Sequence, residues 1–149
     1  MYGNKFTDPI DGNTFRAFLP YGYNKIRNNV LSPSTYSLER HRLLWLYLKN
    51  ETSFFKAKLK VLHFAPESAL MNQFKKLKNI SYDTIDLNSP IADIKADICD
   101  LPFLDNSYDL ILCNHVLEHI VDDNKAIREL YRVLKKNGIG IFQVPIDYN

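Results

Sequence analysis

Four short polar segments of the sequence carry residues that could bind a ligand, and each segment follows a predicted strand. They are "HFAPE" with His63, Phe64, Ala65 and Glu67; "TIDLN" with Asp86 and Leu87; "ADICDLPF" with Asp97 and Ile98; and "CNHVLEH" with Asn114 and His115. The carboxyl ends of parallel strands meet at one edge of a sheet, and ligands of open α/β sheets bind there. The sequence therefore predicts that the four segments line one cleft.

The chemistry of these segments suits an adenosine ligand. Asp86 lies 23 positions after the start of the first segment, close to where an acidic residue binds the two ribose hydroxyls of a nucleotide. The Asp97 carboxylate could accept a hydrogen bond from an adenine amino group, with the backbone N–H of Ile98 at a ring nitrogen. Backbone groups at Asn114 and His115 could hold an amino acid end. The alternative interpretation is that both aspartates only form turns.

Alternating strand and helix signals after Lys60 must position these segments. Strands are predicted at 59–64, 81–86, 92–96, 108–113 and 139–144, and helices at 67–78 and 122–136. The apolar positions of the second helix are Ile127, Leu130, Tyr131 and Leu134. Gly138 lies where a left-handed cap would end that helix. The alternation predicts an α/β fold with a doubly wound, mostly parallel sheet of about five strands.

Residues 1–50 are predicted to form an N-terminal extension to a core at 51–149. Glycines and prolines among aromatic residues predict little regular structure over residues 1–33. Apolar residues near helical spacing predict an amphipathic helix at 35–50. Its cationic side chains, Arg40, His41 and Arg42, could bind an anionic substrate group, although surface or interdomain ion pairs are the more ordinary interpretation.

Composition limits the classes of protein that fit. With 149 residues, 46% hydrophobic and 24% charged, the chain is typical of one globular domain. It shows no secretory signal and no membrane-spanning run, and Cys99 and Cys113 lack metal-ligand spacing, so we expect a cytoplasmic chain with reduced thiols. No basic stripe indicates nucleic acid binding. The apolar strand 139–144 predicts an edge that is covered by a second copy, a partner or further chain.

A longer ordered pattern runs through "DICDLPFLDNSYDLILCNHVLEHIVDDNKAIRELYRVLKKNGIGIF". It contains an acidic residue, Leu-Pro-Phe, a Tyr-Asp strand, a Leu-Glu-His turn and a helix with Glu-x-x-Arg-Val-Leu-Lys. Over roughly residues 59–146 the chain resembles the class I S-adenosylmethionine-dependent methyltransferases, in particular their methyltransferase domain group. The resemblance implies a Rossmann-like fold, S-adenosyl-L-methionine as cofactor and methyl transfer to an unidentified, small-molecule substrate. It also implies Asp86 at the ribose, Asp97 and Ile98 at the adenine and Asn114 near the methionine part, and it names no catalytic residue.

The first turn departs from the family pattern. Where the family has an acidic residue and then Gly-x-Gly-x-Gly, this chain has His63, Ala65, Glu67 and Ala69, in the "LHxAPE" form of one methyltransferase subgroup. The added methyl groups fit if the backbone stays at negative φ. The Glu67 carboxylate could pair with the ammonium or sulfonium of S-adenosylmethionine, whereas it would repel a phosphate.

Two departures concern zinc. The subgroup pattern has Cys-Pro-x-Cys upstream, a zinc half-site, where this chain has Ser32 and Thr35. Because hydroxyls are poor zinc ligands, we expect a degenerate, zinc-ribbon-like extension without metal. His115-x-x-Glu118-His119 matches the spacing of inverted zinc peptidases, but that motif needs a long helix.

A non-catalytic interaction module of the same fold is the other alternative to a methyltransferase. If the chain is an enzyme, either His115 or His119 could act as a general base.

Overall fold

The computed structural model describes residues 2–145, which form two compact units. One unit contains the residues up to Lys56 together with Ser68–Leu77, and the other contains Ala57–Glu67 and the residues from Lys78 onward. The strands are β1 (Tyr2–Thr7), β2 (Thr14–Phe15), β3 (Leu19–Tyr21), β4 (Arg27–Leu31), β5 (Leu59–Phe64), β6 (Ile80–Asp86), β7 (Ile94–Lys95), β8 (Tyr108–Asn114) and β9 (Leu134–Gln143). The helices are α1 (Glu39–Glu51), α2 (Ser68–Phe74), α3 (Asp123–Val133) and a 3-10 helix at Leu117–His119. Within this described range, no helix has the length and apolarity needed to cross a bilayer.

The second unit is built on a five-stranded parallel sheet in the order β7-β6-β5-β8-β9. Central strand β5 pairs with β6 from Leu59 opposite Ile80 to Phe64 opposite Ile85, and with β8 on its other side. Nearly every residue of β8 is buried, as expected for a strand covered on both faces. The predicted doubly wound α/β fold is confirmed, and its strand order reverses direction between β5 and β8.

The end of α3 differs from the prediction. The helix stops at Val133, and β9 begins at the next residue rather than at position 139. Gly138 therefore lies inside a strand, and the left-handed residue is Asn137, with φ of 72°. Asn137 sits in an irregular stretch of the β8–β9 ladder, where extra residues of β9 are accommodated.

The predicted apolar face of α3 was also only partly right. The helix buries Ala126, Leu130 and Val133, whereas Ile127 and Tyr131 are 50% and 81% exposed. Residues at positions i and i+4 share a face, so burial of 126 and 130 turns 127 and 131 away from the core. The stripe with 127 and 131 and the stripe with 126 and 130 are adjacent on the helix surface, and the sequence pattern favoured the wrong one.

Strand β9 has β8 as its one neighbour among the described residues. Its apolar side chains are partly exposed, at 40% for Ile139 and 46% for Phe142. This matches the expected apolar edge. Self-association through residues 139–144 stays a prediction.

The N-terminal unit is more regular than predicted. Residues 2–31 form two antiparallel strand pairs, β1 with β2 and β3 with β4, instead of an irregular lead-in. Buried Phe15, Phe18 and Val30 explain the difference, because apolar side chains on short strands bury well in small antiparallel pairs. In the same unit, Trp45 of α1 stacks on Phe74 of α2, with ring centroids 5.9 Å apart.

Two turns of this unit, at residues 8–13 and 32–37, share one backbone design. In each, the first residue's N–H donates to the carbonyl five residues on, and its carbonyl accepts from the N–H four residues on. The bonds are Asp8 to Asn13 at 2.9 Å, Gly12 to Asp8 at 2.8 Å, Ser32 to Ser37 at 2.9 Å and Tyr36 to Ser32 at 3.1 Å. The fifth residue of each turn is left-handed, with φ of 78° at Gly12 and 55° at Tyr36. The turns "DPIDGN" and "SPSTYS" are thus structural equivalents.

A fully buried carboxylate joins the two turns. Asp8 Oδ2 accepts hydrogen bonds from Thr35 Oγ1 at 2.6 Å and Ser37 Oγ at 3.4 Å, while Oδ1 accepts from Ile10 N at 2.9 Å. Arg42 is buried too, and donates to the carbonyls of Ser37 at 2.5 Å and Val30 at 2.9 Å. Arg42 therefore ties this unit together and is neither a surface pair nor a substrate ligand. The hydroxyls at positions 32 and 35 are engaged in hydrogen bonds and do not form a zinc donor set.

The turn that follows β5 has the backbone conformation of a glycine. Ala65 has φ of 45°, and its N–H donates to the Ile85 carbonyl at 2.9 Å. Negative φ, the condition under which the added methyl group fits without strain, is therefore not met at Ala65. An alanine at positive φ stores roughly 1–2 kcal/mol of strain. Position 65 therefore has the backbone conformation of a glycine turn, although its residue is alanine.

Replacement of Asp8 should destabilise the N-terminal unit. Asp8→Ala removes a fully buried carboxylate that accepts from the Thr35 hydroxyl, the buried Ser37 hydroxyl and the Ile10 N–H, so we expect the free energy of unfolding to fall by about 2–4 kcal/mol. Urea unfolding followed by the fluorescence of Trp45, the chain's single tryptophan, measures this. Exposed Asp11→Ala in the same turn is the control, with a loss under about 1 kcal/mol. A chelator should leave the wild-type curve unchanged, and equal losses in the two variants would contradict the network.

The strain at Ala65 predicts that alanine-to-glycine substitutions at positions 65 and 69 change the free energy of unfolding in opposite directions. Ala65→Gly should maintain or raise the free energy of unfolding, because relief of roughly 1–2 kcal/mol exceeds the roughly 0.4–1 kcal/mol that glycine's unfolded-state freedom costs. Ala69→Gly, inside α2, should lower it by about 0.5–1 kcal/mol. Urea titration followed by circular dichroism tests both variants. A loss at position 65 as large as that at position 69 would show that the turn is unstrained.

Candidate functional site

A cavity of about 370 Å³ lies at the carboxyl ends of four strands of the parallel sheet. Its walls come from the residues directly after β5, β6, β7 and β8. The lining residues are Phe64, Ala65, Ile85, Asp86, Leu87, Asn88, Ala96, Asp97, Ile98, His115, Val116, His119 and Ile120. The cavity adjoins the point where the strand order reverses, which is where open α/β sheets bind ligands.

The cavity brings together most of the residues predicted from sequence. Seven of them line it: Phe64, Ala65, Asp86, Leu87, Asp97, Ile98 and His115. Three predicted residues, His63, Glu67 and Asn114, are not part of the lining. All four predicted segments thus meet, although not every residue of a segment faces the cavity.

Asp86 ends β6 with one carboxylate oxygen committed to its own turn. Its Oδ1 accepts hydrogen bonds from the N–H groups of Asn88 at 2.7 Å and Ser89 at 2.6 Å. These bonds hold the side chain in place at the cavity wall. The second oxygen, Oδ2, receives no hydrogen bond from residues 2–145 and is available to a ligand hydroxyl.

Asp97 is arranged in the same way after β7. Its Oδ1 accepts from the Cys99 N–H at 2.8 Å, and its carbonyl accepts from the Asp100 N–H at 3.0 Å. The neighbouring Ile98 side chain is buried in the core cluster that also contains Leu101. The turn therefore holds the Asp97 carboxylate by one oxygen, and the buried Ile98 side chain anchors the neighbouring backbone. Asp86 and Asp97 line the same cavity, so both could contact one bound ligand.

His63 lies in the interior of the sheet, on the other side of β5 from the Phe64 side chain. It is fully buried, and its Nδ1 shares a 2.7 Å hydrogen bond with the Tyr82 hydroxyl. Burial raises the pKa of Tyr82, and the nearby charge of Asp93 raises it further, so this phenol stays protonated. The position that is acidic in the family pattern is here a structural histidine.

Asn114, at the end of β8, has unused hydrogen-bonding capacity. Its side chain is 5% exposed, and neither amide atom has a hydrogen-bond partner among the described residues. A buried amide without partners costs about 1–3 kcal/mol. Asn114 directly precedes His115, which lines the cavity. Asn114 is not itself part of the cavity lining, so a polar ligand group could supply the missing partners only after a movement of the turn at 115.

The segment after β8 forms a short turn instead of a long helix. His115 is left-handed, with φ of 54°, and the 3-10 helix that follows contains only Leu117–His119. His115 Nδ1 lies 3.3 Å from a Glu118 carboxylate oxygen. Within residues 2–145 no three metal-ligating side chains cluster. The zinc peptidase interpretation of His115-x-x-Glu118-His119 is therefore not favoured, because its two histidines do not share a helix face.

Burial excludes Cys113 as a nucleophile. It raises the pKa of the Cys113 thiol to about 12, and the charge of Glu118 adds to the effect. The thiol is therefore protonated at neutral pH. The strand that holds Cys113 supports the cavity from behind, and the lining begins at His115, directly after it.

Sequence reasoning missed part of the apolar cavity wall. Ile85, Ala96, Val116 and Ile120 line it together with Asn88. Ile85 and Ala96 precede or follow strand ends by one position, and the strand boundaries could have indicated them. The positions in the 115–120 turn carried no such signal, since their placement depends on the left-handed residue at 115.

Comparison with curated proteins finds methyltransferases that match parts of this chain. The ubiquinone/menaquinone biosynthesis C-methyltransferase UbiE of Rickettsia typhi is 42% identical over 64 residues, 42% of this chain and 26% of that protein. The uncharacterized methyltransferase YcgJ of Bacillus subtilis is 50% identical over 38 residues, 26% of this chain and 15% of that protein. The chain thus spans about a quarter or less of the curated relatives it matches.

Solved structures share the fold at low sequence identity. Bacillus subtilis YcgJ has a TM-score of 0.57 at 24% identity, covering 68% of this chain and 50% of that one. A SAM-dependent methyltransferase of Aquifex aeolicus has a TM-score of 0.51 at 16% identity, covering 65% of this chain and 58% of that one. These likenesses establish a Rossmann-like α/β fold.

A family model described as a methyltransferase domain matches residues 53–142, which is more than half of the chain. The match includes the parallel sheet from β5 to β8, most of β9 and all the residues that line the cavity. The chain therefore belongs to the methyltransferase domain family.

Proposed function

We propose that this chain binds S-adenosyl-L-methionine in the cavity, and that the intact protein transfers the cofactor's methyl group to a small molecule. One observation carries the proposal: Asp86 and Asp97 line the same cavity at the reversal point of the sheet in a methyltransferase domain. Each carboxylate has one oxygen fixed by its own turn, which leaves the other to a ligand.

We assign a different part of the cofactor to each group of residues at the cavity. Asp86 Oδ2 accepts hydrogen bonds from the ribose hydroxyls, and Asp97 with the Ile98 backbone binds the adenine. The buried amide of Asn114, which lacks partners within the described residues, is placed near the methionine end and would pair with it after a movement of the turn at 115. His63, whose ring is bonded to Tyr82, and Glu67 lie outside the cavity lining and are not in the proposed set.

The chemistry asked of the protein is mainly alignment. The bound cofactor supplies a methyl carbon that its sulfonium already activates. The protein must hold an acceptor oxygen, nitrogen or carbon in line with that carbon and keep water out. Where the acceptor must lose a proton, His115 and His119 are the candidate bases, since both line the cavity.

Isosteric substitutions test the two carboxylates. Asp86→Asn and Asp97→Asn keep the oxygen that accepts from the turn, but put an amide donor where the ligand needs an acceptor. A hydrogen bond to a charged group contributes about 1.5–3 kcal/mol, so each variant should raise the dissociation constant of S-adenosylhomocysteine about 10- to 150-fold. Isothermal titration calorimetry measures this. Asp100→Asn, an exposed residue outside the cavity lining on the Asp97 turn, is the matched control and should bind like the wild type.

The wild-type titration separates the proposal from its main alternative. A methyltransferase should show saturable heat with both S-adenosylmethionine and S-adenosylhomocysteine, at one site per chain. A non-catalytic interaction module of the same fold should show none. Wild-type binding that survives both asparagine substitutions would place the cofactor elsewhere and reject the site.

A further inference from the structure

Arg132 of α3 uses all of its hydrogen-bonding capacity on one loop and one partner. Nε and Nη2 donate to the two carboxylate oxygens of Glu129, each at 2.7 Å. Nη1 donates to the Phe103 carbonyl at 2.7 Å and to Asp105 Oδ1 at 2.9 Å, and Nη2 also donates to the Leu101 carbonyl at 3.0 Å. A guanidinium has five N–H donors, so every one is engaged. Such saturation gives one defined geometry rather than a mobile surface pair.

Glu129 completes the contact from the same helix face. Its Oε2 accepts the Leu101 N–H at 2.9 Å, so side chains of α3 satisfy both backbone polar groups of Leu101. The hydrogen bonds from Arg132 are the main cause that lowers the pKa of Glu129 to about 2, which keeps the pair charged at physiological pH. We call Glu129 and Arg132 the α3 clamp.

The clamped loop is the continuation of the cavity wall. Asp97 and Ile98 line the cavity, and no strand contains the residues between Lys95 and Tyr108. The loop is held at several points: Cys99 Sγ lies 3.6 Å from the Asp122 carbonyl, and the clamp holds residues 101–105. At its end, the N–H groups of Asn106 and Ser107 donate to the carbonyls of Arg132 and Val133 at 2.9 and 2.8 Å. Ile98 and Leu101 belong to one buried cluster, which couples the clamped end of the loop to the cavity end.

We propose that the α3 clamp is a positioning device for cofactor binding: Arg132 and Glu129 hold the 97–105 loop in the form that presents Asp97 and Ile98 to the adenosine. Neither residue lines the cavity, so each acts through the loop. The inference rests on the proposed function for the identity of the ligand. Without the clamp, the loop has to be ordered at the moment of binding, and that cost appears as lost affinity.

Hydrogen exchange and calorimetry on the whole chain test the clamp together. Arg132→Met removes all five donors, and Arg132→Lys keeps the charge without the fork. We expect faster amide exchange over residues 98–105 in the ligand-free protein, with exchange in β5 unchanged. The dissociation constants of S-adenosylhomocysteine and adenosine should rise by the same factor, about tenfold or more for methionine and less for lysine. Arg128→Met, an exposed arginine on the same helix, should match the wild type in both measurements.

The outcomes distinguish failure of this inference from failure of the proposed function. Folded Arg132 variants that bind S-adenosylhomocysteine within about twofold of the wild type overturn the clamp and leave the cofactor site standing. A wild type that binds neither ligand rejects the proposed function, and unchanged exchange at 98–105 in Arg132→Met then rejects the clamp separately. If Arg132→Met does not fold, Arg132→Lys and Glu129→Gln decide by the same criteria.

Discussion

The structure of the site depends on the pairing of β5 with both β6 and β8. This central strand is hydrogen-bonded in parallel along its length on both sides, so three consecutive strands of the ladder end at nearly the same level. Backbone hydrogen bonds are directional, and a parallel register cannot shift without breaking several at once. Asp86, Asp97 and His115 are distant in sequence, and they share one cavity because this ladder sets where their strands stop.

The sheet and the two aspartates could be predicted because their signals are local. A strand buried on both faces reads as a continuous apolar run, which is why β5 was predicted at its observed bounds and β8 to within one residue. Asp86 and Asp97 were found because Asp86 ends one predicted strand, at 81–86, and Asp97 directly follows another, at 92–96. Their turns depend on side-chain to backbone bonds only two or three residues long, which short-range patterns describe well.

The features that sequence reasoning missed depend on contacts between distant residues. Asp8 bonds to a turn 27 residues away, and nothing near Asp8 in sequence indicates that its carboxylate is buried. The strands of residues 2–31 need that packing, so their short segments looked irregular. His63 was assigned to the cavity, although successive side chains of a strand point to opposite faces, so that His63 points away from the face of Phe64. Nothing in the sequence indicated the role of Arg132, because three of its five hydrogen bonds reach back about 30 residues to the loop.

The two equivalent turns of the N-terminal unit have a consequence for the conditions under which the protein folds. Hydroxyls and one carboxylate join them, in a place where the related pattern has thiolates. Serine and threonine are inert to the oxidants that convert cysteine to sulfenic acid or disulfide. The contact between the two turns therefore contains no thiol that an oxidant could convert, since its side chains are serine, threonine and aspartate.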